Sequence, residues 1–337
     1  MASEDRRGPS EAGSGNDAGA GSGTGGAAEP NLRAHPRVHW QRPERARVSA
    51  RRIVSLVPSL SEALVALGLG HRLVGVTEYC VEPPGAFDGL PRLGGTKDAD
   101  VAAIAACEPD LVIANQEENT ARVVRQLAEL GIDVWVSYPR TVREGVELLA
   151  ELAELGADEA ARARVVAPAR VALAEAEARR RSRVGSEVGP RVFCPIWRDP
   201  WMTVGRDTYI HDLIELCGGH NVFAGFAGFA GFAGAGAGAG DGAGDGESEG
   251  KGKGEGKGGR RYPIVTLEAV VAAQPELILL PDEPYAFGPG DAEELRQLEI
   301  PAARAGRIVP IDGSLVSWYG PRIAQAIQVL ARIFATP

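Results

Sequence analysis

One fourteen-residue unit occurs twice in this chain and constrains the fold more than any other feature. "VAAIAACEPDLVIA" (101–114) aligns without a gap on "LEAVVAAQPELILL" (267–280), at an offset of 166 residues. Four positions are identical (Ala103/Ala269, Ala106/Ala272, Pro109/Pro275, Leu111/Leu277) and six more are conservative. Each copy reads as a helix, a proline-marked turn and a buried strand. Proline ends the helical pattern, and the apolar run after it is too short for a second helix. Two such units so far apart, in a chain of 337 residues, ask for two lobes of related build.

The flanking sequence extends both copies in the same style. "RRIVSLVPS", from Arg51, is a short β-branched run, and Ser59 or Ser61 is placed to cap the helix "SEALVALG" that ends at Gly68. Strands at 72–79, 110–115 and 133–138 alternate with helices near 99–107 and 119–130. That alternation predicts an N-terminal α/β lobe over 51–140 with a mostly parallel sheet. A helical connector follows over 141–190. Within it the stretch Asp158–Ser182 would be roughly 37 Å long if helical throughout, enough for a rigid link, with a kink expected at Pro168. A C-terminal α/β lobe over 191–337 takes in "RVFCPIW", a helix at 208–217, strands at 276–281 and 307–311, and a last helix from Pro321.

Two segments cannot build a core. Residues 1–50 open on Gly, Ala, Ser and acidic residues and read as a disordered leader. Residues 224–261 hold FAG repeats followed by a Gly-rich polar run, which reads as a flexible insertion in the second lobe. A phosphate-binding loop is rejected there, because no strand leads in and no GK[ST] leads out. Residues 1–30 contain no apolar segment of the kind a secretory signal needs, and no stretch reaches the roughly 18 apolar residues of a membrane span. The expected location is therefore cytoplasmic. A net charge of −9 argues against a nucleic-acid partner.

Two lobes joined by a helix leave one place for chemistry, the cleft beyond the carboxyl ends of the strands. The strand ends supply Ser59, Tyr79, Lys97, Asn115 and Glu118 in lobe one, and Trp197, Arg198, Trp201, Trp318 and Tyr319 in lobe two. "CPIWRDPWM" (194–202) holds two of the five tryptophans; its prolines exclude a helix, so it is a strand end running into a loop. Such an aromatic surface suits a planar, partly apolar ligand, although one of Trp197 and Trp201 could equally plug the core. Glu117 and Glu118 also fit a solvated helix start.

Catalytic constellations are thin. Four cysteines stand far apart with no CxxC pair or histidine at metal-finger spacing, and Cys107 and Cys217 read as buried free thiols. No HExxH, GxSxG or paired-carboxylate motif occurs, so no catalytic or metal-ligating residue is assigned. Cys194 and His211 are what an enzyme reading would have to use. A binding module is the stronger class.

"RRIVSLVPSLSEALVALGLGHRLVGVTEYCVEPP", "EPDLVIA", "QLAELGIDVWV", "WMTVGRDTYIHDLIELCGGHNVF" and "SWYGPRIAQAIQVL", in that order, resemble the iron/vitamin B12 periplasmic-binding-protein family. The cobalamin-binding subgroup is the nearest, and the resemblance covers 52–337 apart from the insertion. It implies two pseudo-symmetric α/β lobes joined by a long rigid backbone helix, the class III architecture, with little hinge motion. It also implies a non-catalytic, monomeric protein with a cobalamin-like corrinoid between its lobes and no resident cofactor. A ferric siderophore or haem is the alternative ligand, and an enzyme acting on a tetrapyrrole or metal chelate the alternative class. The family's cobalamin binders place aromatics around the cleft, where this chain has Trp197, Trp201, Trp318 and Tyr319. In lobe one they tend to carry tryptophan where this chain has Thr96 and Asn115, which shifts weight to polar groups such as Lys97 and residues 115–119. Exported members dock on an ABC permease through one acidic residue per lobe. Glu268 stands at the second-lobe position and Ala102 at its repeat partner, which breaks the pair and speaks against permease docking.

Overall fold

The computed structural model describes residues 32–41, 43, 50–183, 189–226 and 261–336. The expected leader up to residue 31, and residues 227–260 of the expected insertion, lie outside the described residues.

Lobe one runs β1 (Val38–His39), β2 (Ile53–Ser55), α1 (Pro58–Ala66), β3 (Leu73–Val76), α2 (Val101–Ala106), β4 (Leu111–Asn115), α3 (Ala121–Glu129) and β5 (Val134–Ser137). Its five strands pair in parallel in the order β1-β5-β4-β2-β3. Every residue of β2, β4 and β5 is buried, as strands covered on both faces by helices must be. Asp100 and Thr120 cap α2 and α3 by accepting backbone N–H bonds in the first turn.

Two expectations change here. The chain enters the sheet before Arg51, since Val38 and His39 pair with Val134 and Trp135 of β5. A two-residue edge strand carries no alternation to read in the sequence. Helix α1 starts at Pro58, with Val57 as a cap that offers no side chain, so neither Ser59 nor Ser61 caps it. Proline at the first helical position needs no N–H partner and supplies the start instead. Ser61 Oγ donates back to the Val57 carbonyl at 3.0 Å from inside the helix.

Between the lobes lie α4 (Val142–Ala153) and the 24-residue α5 (Glu159–Ser182). Thr141 and Glu144 form a reciprocal capping box on α4. Pro168 lies inside α5 without ending it. Lobe two runs β6 (Arg191–Phe193), β7 (Pro195–Trp197), β8 (Met202–Thr203), α6 (Tyr209–Cys217), β9 (His220–Asn221), α7 (Leu267–Ala273), β10 (Leu277–Pro281), α8 (Pro289–Arg296), α9 (Pro301–Arg304), β11 (Ile308–Ile311), α10 (Ser314–Ser317) and α11 (Ile323–Ala335). Its parallel sheet has the order β11-β10-β6-β9, and β7 and β8 form a separate antiparallel hairpin. Pro321 stands in the turn before α11 rather than in its first turn. The insertion also begins later than 224: Ala224 accepts the Arg206 N–H at 3.0 Å, and Phe226 packs edge-on against Phe223 at 5.3 Å.

The repeat is visible in backbone and side chains alike. Glu108 and Gln274, 166 residues apart, both take the left-handed conformation at φ +45°, each directly before its proline. Arg52 donates to the Cys107 and Glu108 carbonyls, and Arg191 to the Ala273 and Gln274 carbonyls. The backbone N–H of each arginine binds a carboxylate, Asp110 in lobe one and Glu276 in lobe two. In both lobes an arginine opening a strand thus satisfies the orphan carbonyls ending the neighbouring helix.

Helix α5 packs against α4, α6 and α11, and so touches elements of both lobes. One buried cluster runs from Ile53 and Leu60 through Leu152, Val166 and Leu173 to Leu213, Leu279 and Leu330. Smaller clusters cover the other face of each sheet. A core shared across the connector opposes independent lobe motion.

Candidate functional site

Side chains that follow β4 and β5 of lobe one meet side chains of lobe two across a seam. Glu117 and Glu118 lie in the turn after β4. Asn115, at the end of that strand, is fully buried and shapes the turn: its Oδ1 accepts the N–H groups of Glu117 (2.7 Å) and Glu118 (3.3 Å), and its Nδ2 donates to Ser137 Oγ at 3.2 Å. Asn119 closes the turn with Oδ1 on the Asn115 N–H at 2.8 Å. Asn115 therefore positions the turn instead of facing a ligand, which corrects its expected role.

From this turn Glu117 reaches lobe two. Its Oε1 accepts the Tyr262 hydroxyl and meets Arg261 Nη1 at 2.9 Å. The Arg261 guanidinium also lies over the Tyr138 ring of lobe one, 4.9 Å from its centroid. Glu118 accepts from the Tyr319 hydroxyl at 3.4 Å. Burial pushes its carboxyl up to about 7, against the pull of Lys97 and helped by Glu117. Burial likewise lowers the Lys97 ammonium, against the pull of Glu118 and Glu117. Lys97 Nζ donates to the Glu117 carbonyl. The solvated helix start is excluded: both glutamates precede α3 and lie against the other lobe.

Arg322 makes a second crossing. Its Nε sits 3.0 Å from both oxygens of Glu62, and Glu82 and Asp312 lie at 3.6 Å. Its guanidinium covers the half-buried Trp318 ring at 4.9 Å. Beside it Ser317 Oγ donates to Glu283 Oε1 at 3.0 Å.

"CPIWRDPWM" forms the β7–β8 hairpin, turned at Asp199, whose φ is +58°. Asp tolerates this region better than most residues do. Four aromatics run inward from its tip. Trp197 meets Tyr285 edge-on at 5.7 Å, Tyr285 meets Phe287 at 4.7 Å, and Phe287 stacks on Trp201 at 5.6 Å. Trp197 and Tyr285 are part-exposed, whereas Trp201 belongs to the lobe-two core. That corrects the expectation for Trp201: it is the core plug, because its ring is the one that reaches Phe287. Arg198 is corrected too. Asp291 and Glu294 of α8 hold its guanidinium, the latter at 2.6 Å, so it clips the hairpin down and is not available to a ligand.

The remaining candidates scatter. Ser59 is buried with an Oγ that has no hydrogen-bond partner. Tyr79 is 61% exposed on the loop after β3. Tyr319 is buried, with its ring edge-on to Tyr209 at 5.5 Å. The structure thus brings Lys97, Glu118 and Tyr319 together on the seam and leaves Tyr79 on the surface. Sequence reasoning missed Arg261, the last residue of the expected insertion, and Tyr262, which directly follows it. It also did not pair Tyr285 with Trp197.

All four cysteines are buried and free. Burial pushes the Cys194 thiol up to about 12, which denies it the thiolate a nucleophile needs. His211 lies beside the Asn221 amide, 3.3 Å from its Nδ2, and burial lowers its pKa. Among the described residues no group of three or more His, Cys, Asp or Glu is placed to hold a metal, and no helix is long and apolar enough to cross a membrane.

A family model described as "Periplasmic binding protein" matches residues 53–235. The vitamin B12-binding protein of Vibrio cholerae (strain O395) is 25% identical over 279 residues, which is 83% of this chain and 87% of that protein. The vitamin B12-binding protein of Yersinia pestis (strain Pestoides F) is 30% identical over 181 residues, 52% of this chain and 61% of that one. Among solved structures, the periplasmic vitamin B12 binding protein of Vibrio cholerae superposes with a TM-score of 0.65 at 24% identity, covering 85% of this chain and 96% of its own. A periplasmic haem-binding protein from Roseiflexus sp. RS-1 gives 0.63 at 24% identity, covering 85% and 98%. These likenesses carry the two-lobed class III fold. They also overturn the cytoplasmic placement, since the matching family is periplasmic. That placement rested only on a feature missing from residues 1–30, and a missing feature locates nothing.

Proposed function

Because the chain belongs to the periplasmic binding protein family, we propose that it is a solute-binding protein of the ABC-import type. Its ligand on this reading is a cobalamin-like corrinoid held between the lobes. The observation that carries the reading is the match to a vitamin B12-binding relative along 83% of this chain, both lobes included. Geometry supports it. Trp197 and Tyr285 offer adjoining ring faces and edges to an extended macrocycle. Lys97, Glu118, Tyr262 and Tyr319 offer donors and acceptors at the seam, suited to peripheral amides.

On this reading the protein acts by binding, as relatives named for vitamin B12 binding do, and the corrinoid is cargo rather than a resident cofactor. Cys194 and His211, the groups an enzyme reading would use, are respectively buried and set beside the Asn221 amide. Haem is the second reading, favoured by the haem-binding neighbours of the same fold. For a transporter partner, Glu268 is exposed on α7 while its counterpart on α2 is the exposed Ala102, so any docking surface is charged on one lobe only at these positions.

Titration of the purified protein with cyanocobalamin, followed by tryptophan fluorescence, tests the reading. Saturable quenching at micromolar protein or below, reduced in Trp197→Ala, is expected. A linear, non-saturating signal would refute corrinoid binding, and saturation by haemin instead would establish the second reading.

A further inference from the structure

The seam carries more negative than positive charge, and each of its cations stands beside a carboxylate. Lys97 donates to the Glu117 carbonyl, Arg261 is held by Glu117 and Tyr138, and Arg322 is held by Glu62. Lys97, Arg261 and Arg322 thus each offset one carboxylate, and Glu82, Glu283 and Asp312 are left in excess. On the acidic side, Glu118 feels both Glu117 and Glu283, and Glu283 in turn feels Asp282 and Asp312. Glu82 and Asp312 add to the carboxylates around Arg322. A ligand carboxylate entering between the lobes would meet like charge in a partly desolvated place, where repulsion is least screened.

The backbone that carries the glutamates is held in place, and the Glu117 carboxylate is further held by Tyr262 and Arg261. Asn115 Oδ1 holds the backbone N–H groups of both glutamates, and Asn119 Nδ2 ties the turn to the Leu56 and Thr96 carbonyls at 3.2 and 2.8 Å. A preorganised carboxylate is a good partner for an amide, because it accepts the amide N–H when ionised and donates to the amide oxygen when protonated. Toward a second carboxylate it offers only repulsion, unless one of the two takes up a proton.

We propose that Glu117 and Glu118, with the carboxylates flanking them on the seam, select the ligand by charge. They admit corrinoids whose periphery is amidated and reject tetrapyrroles that carry several free carboxylates, haem among them. This rests on the corrinoid reading above and adds the feature of the corrinoid that is read.

The test compares two corrinoids that share a ring and lack the nucleotide: dicyanocobinamide, with amide side chains, and dicyanocobyrinic acid, with free acids. Kd values are measured for wild type, Glu117→Gln, Glu118→Gln and, as an exposed-charge control on α7, Glu268→Gln. Wild type is expected to prefer the amide by about tenfold or more. Each glutamine on the seam should narrow that ratio by about threefold or more, with Glu268→Gln unchanged. In wild type the ratio should also narrow between about pH 8 and about pH 6 as Glu118, which faces Lys97, Glu117, Tyr319 and Glu283, takes up its proton. That arm decides the matter should a glutamine variant fail to fold.

Equal affinity of wild type for both corrinoids would overturn charge selection and leave corrinoid binding standing. A ratio that both seam variants and the pH change leave untouched would overturn the role of these glutamates in the same way. Absence of binding to either corrinoid would refute the corrinoid reading, and charge selection with it.

Discussion

Truncating Trp201 and Trp197 in parallel separates a core ring from a part-exposed one within a single hairpin. Trp201 is 9% exposed, stacked on Phe287 with 10° between the ring planes, and covered by the Arg198 guanidinium at 5.3 Å. An aromatic side chain of this kind buries on the order of 150–250 Å², which at roughly 25 cal/mol per Å² sets a ceiling of about 4–6 kcal/mol. Tryptophan-to-alanine changes in cores cost about 3–5 kcal/mol, so Trp201→Ala should lose about 4 kcal/mol. In a chain of this size that lowers Tm by roughly 8–15 °C. Trp197 is part-exposed and its ring meets Tyr285 edge-on, so Trp197→Ala should cost about 1 kcal/mol and a few degrees. Thermal melts and urea midpoints of the two variants decide between them. If Trp201→Ala melts within about 2 °C of wild type, or Trp197→Ala is the less stable of the pair, the assignment of core and rim is wrong.

Other perturbations have equally definite outcomes. The Glu118 carboxyl titrates higher in the folded chain (about 7) than in the unfolded one, so the folded state keeps a proton the unfolded state loses; stability should fall by up to about 3 kcal/mol as pH rises from about 4.5 to about 7, and Glu118→Gln should flatten that slope in urea midpoints. Arg322→Ala leaves the 14%-exposed Glu62 side chain without its ion pair across the seam, and should cost about 3 kcal/mol, with much of the loss recovered in the Arg322→Ala/Glu62→Gln double variant. Replacing 227–260 by a short link should leave Tm unchanged within about 2 °C. Its flanks are both anchored at adjacent residues, Arg206 N–H on the Ala224 carbonyl and Gly205 N–H on the Arg261 carbonyl at 2.7 Å. A large loss of Tm would show that the segment contributes to the fold.

The fold was legible where periodicity and punctuation agree. The buried runs of β4 and β10 follow a helix and a proline in both copies, and the 166-residue offset that aligns them in sequence also aligns Glu108 with Gln274 and Asp110 with Glu276 in the structure, where Arg52 and Arg191 play matching parts from outside the repeated stretch. Elements of two or three residues, such as β1, β8 and β9, carry too few side chains to show a period. The site was legible only as a neighbourhood. Strand ends pointed to Trp197, Glu118 and Tyr319, but sequence cannot say which of two tryptophans four residues apart turns inward. Partners about a hundred residues away removed Arg198 from the list, since Asp291 and Glu294 pair with it only after α8 docks. Arg261 and Tyr262 were hidden by their position after the Gly-rich run, and Glu117 gives them meaning only once the lobes face each other.

Equilibrium dialysis of the protein against cyanocobalamin tests the central claim most directly. A corrinoid carrier retains one ligand per chain, saturably, with a Kd at or below micromolar. Equal ligand on both sides of the membrane at micromolar protein, while the chain melts cooperatively, would show that the fold does not hold a corrinoid.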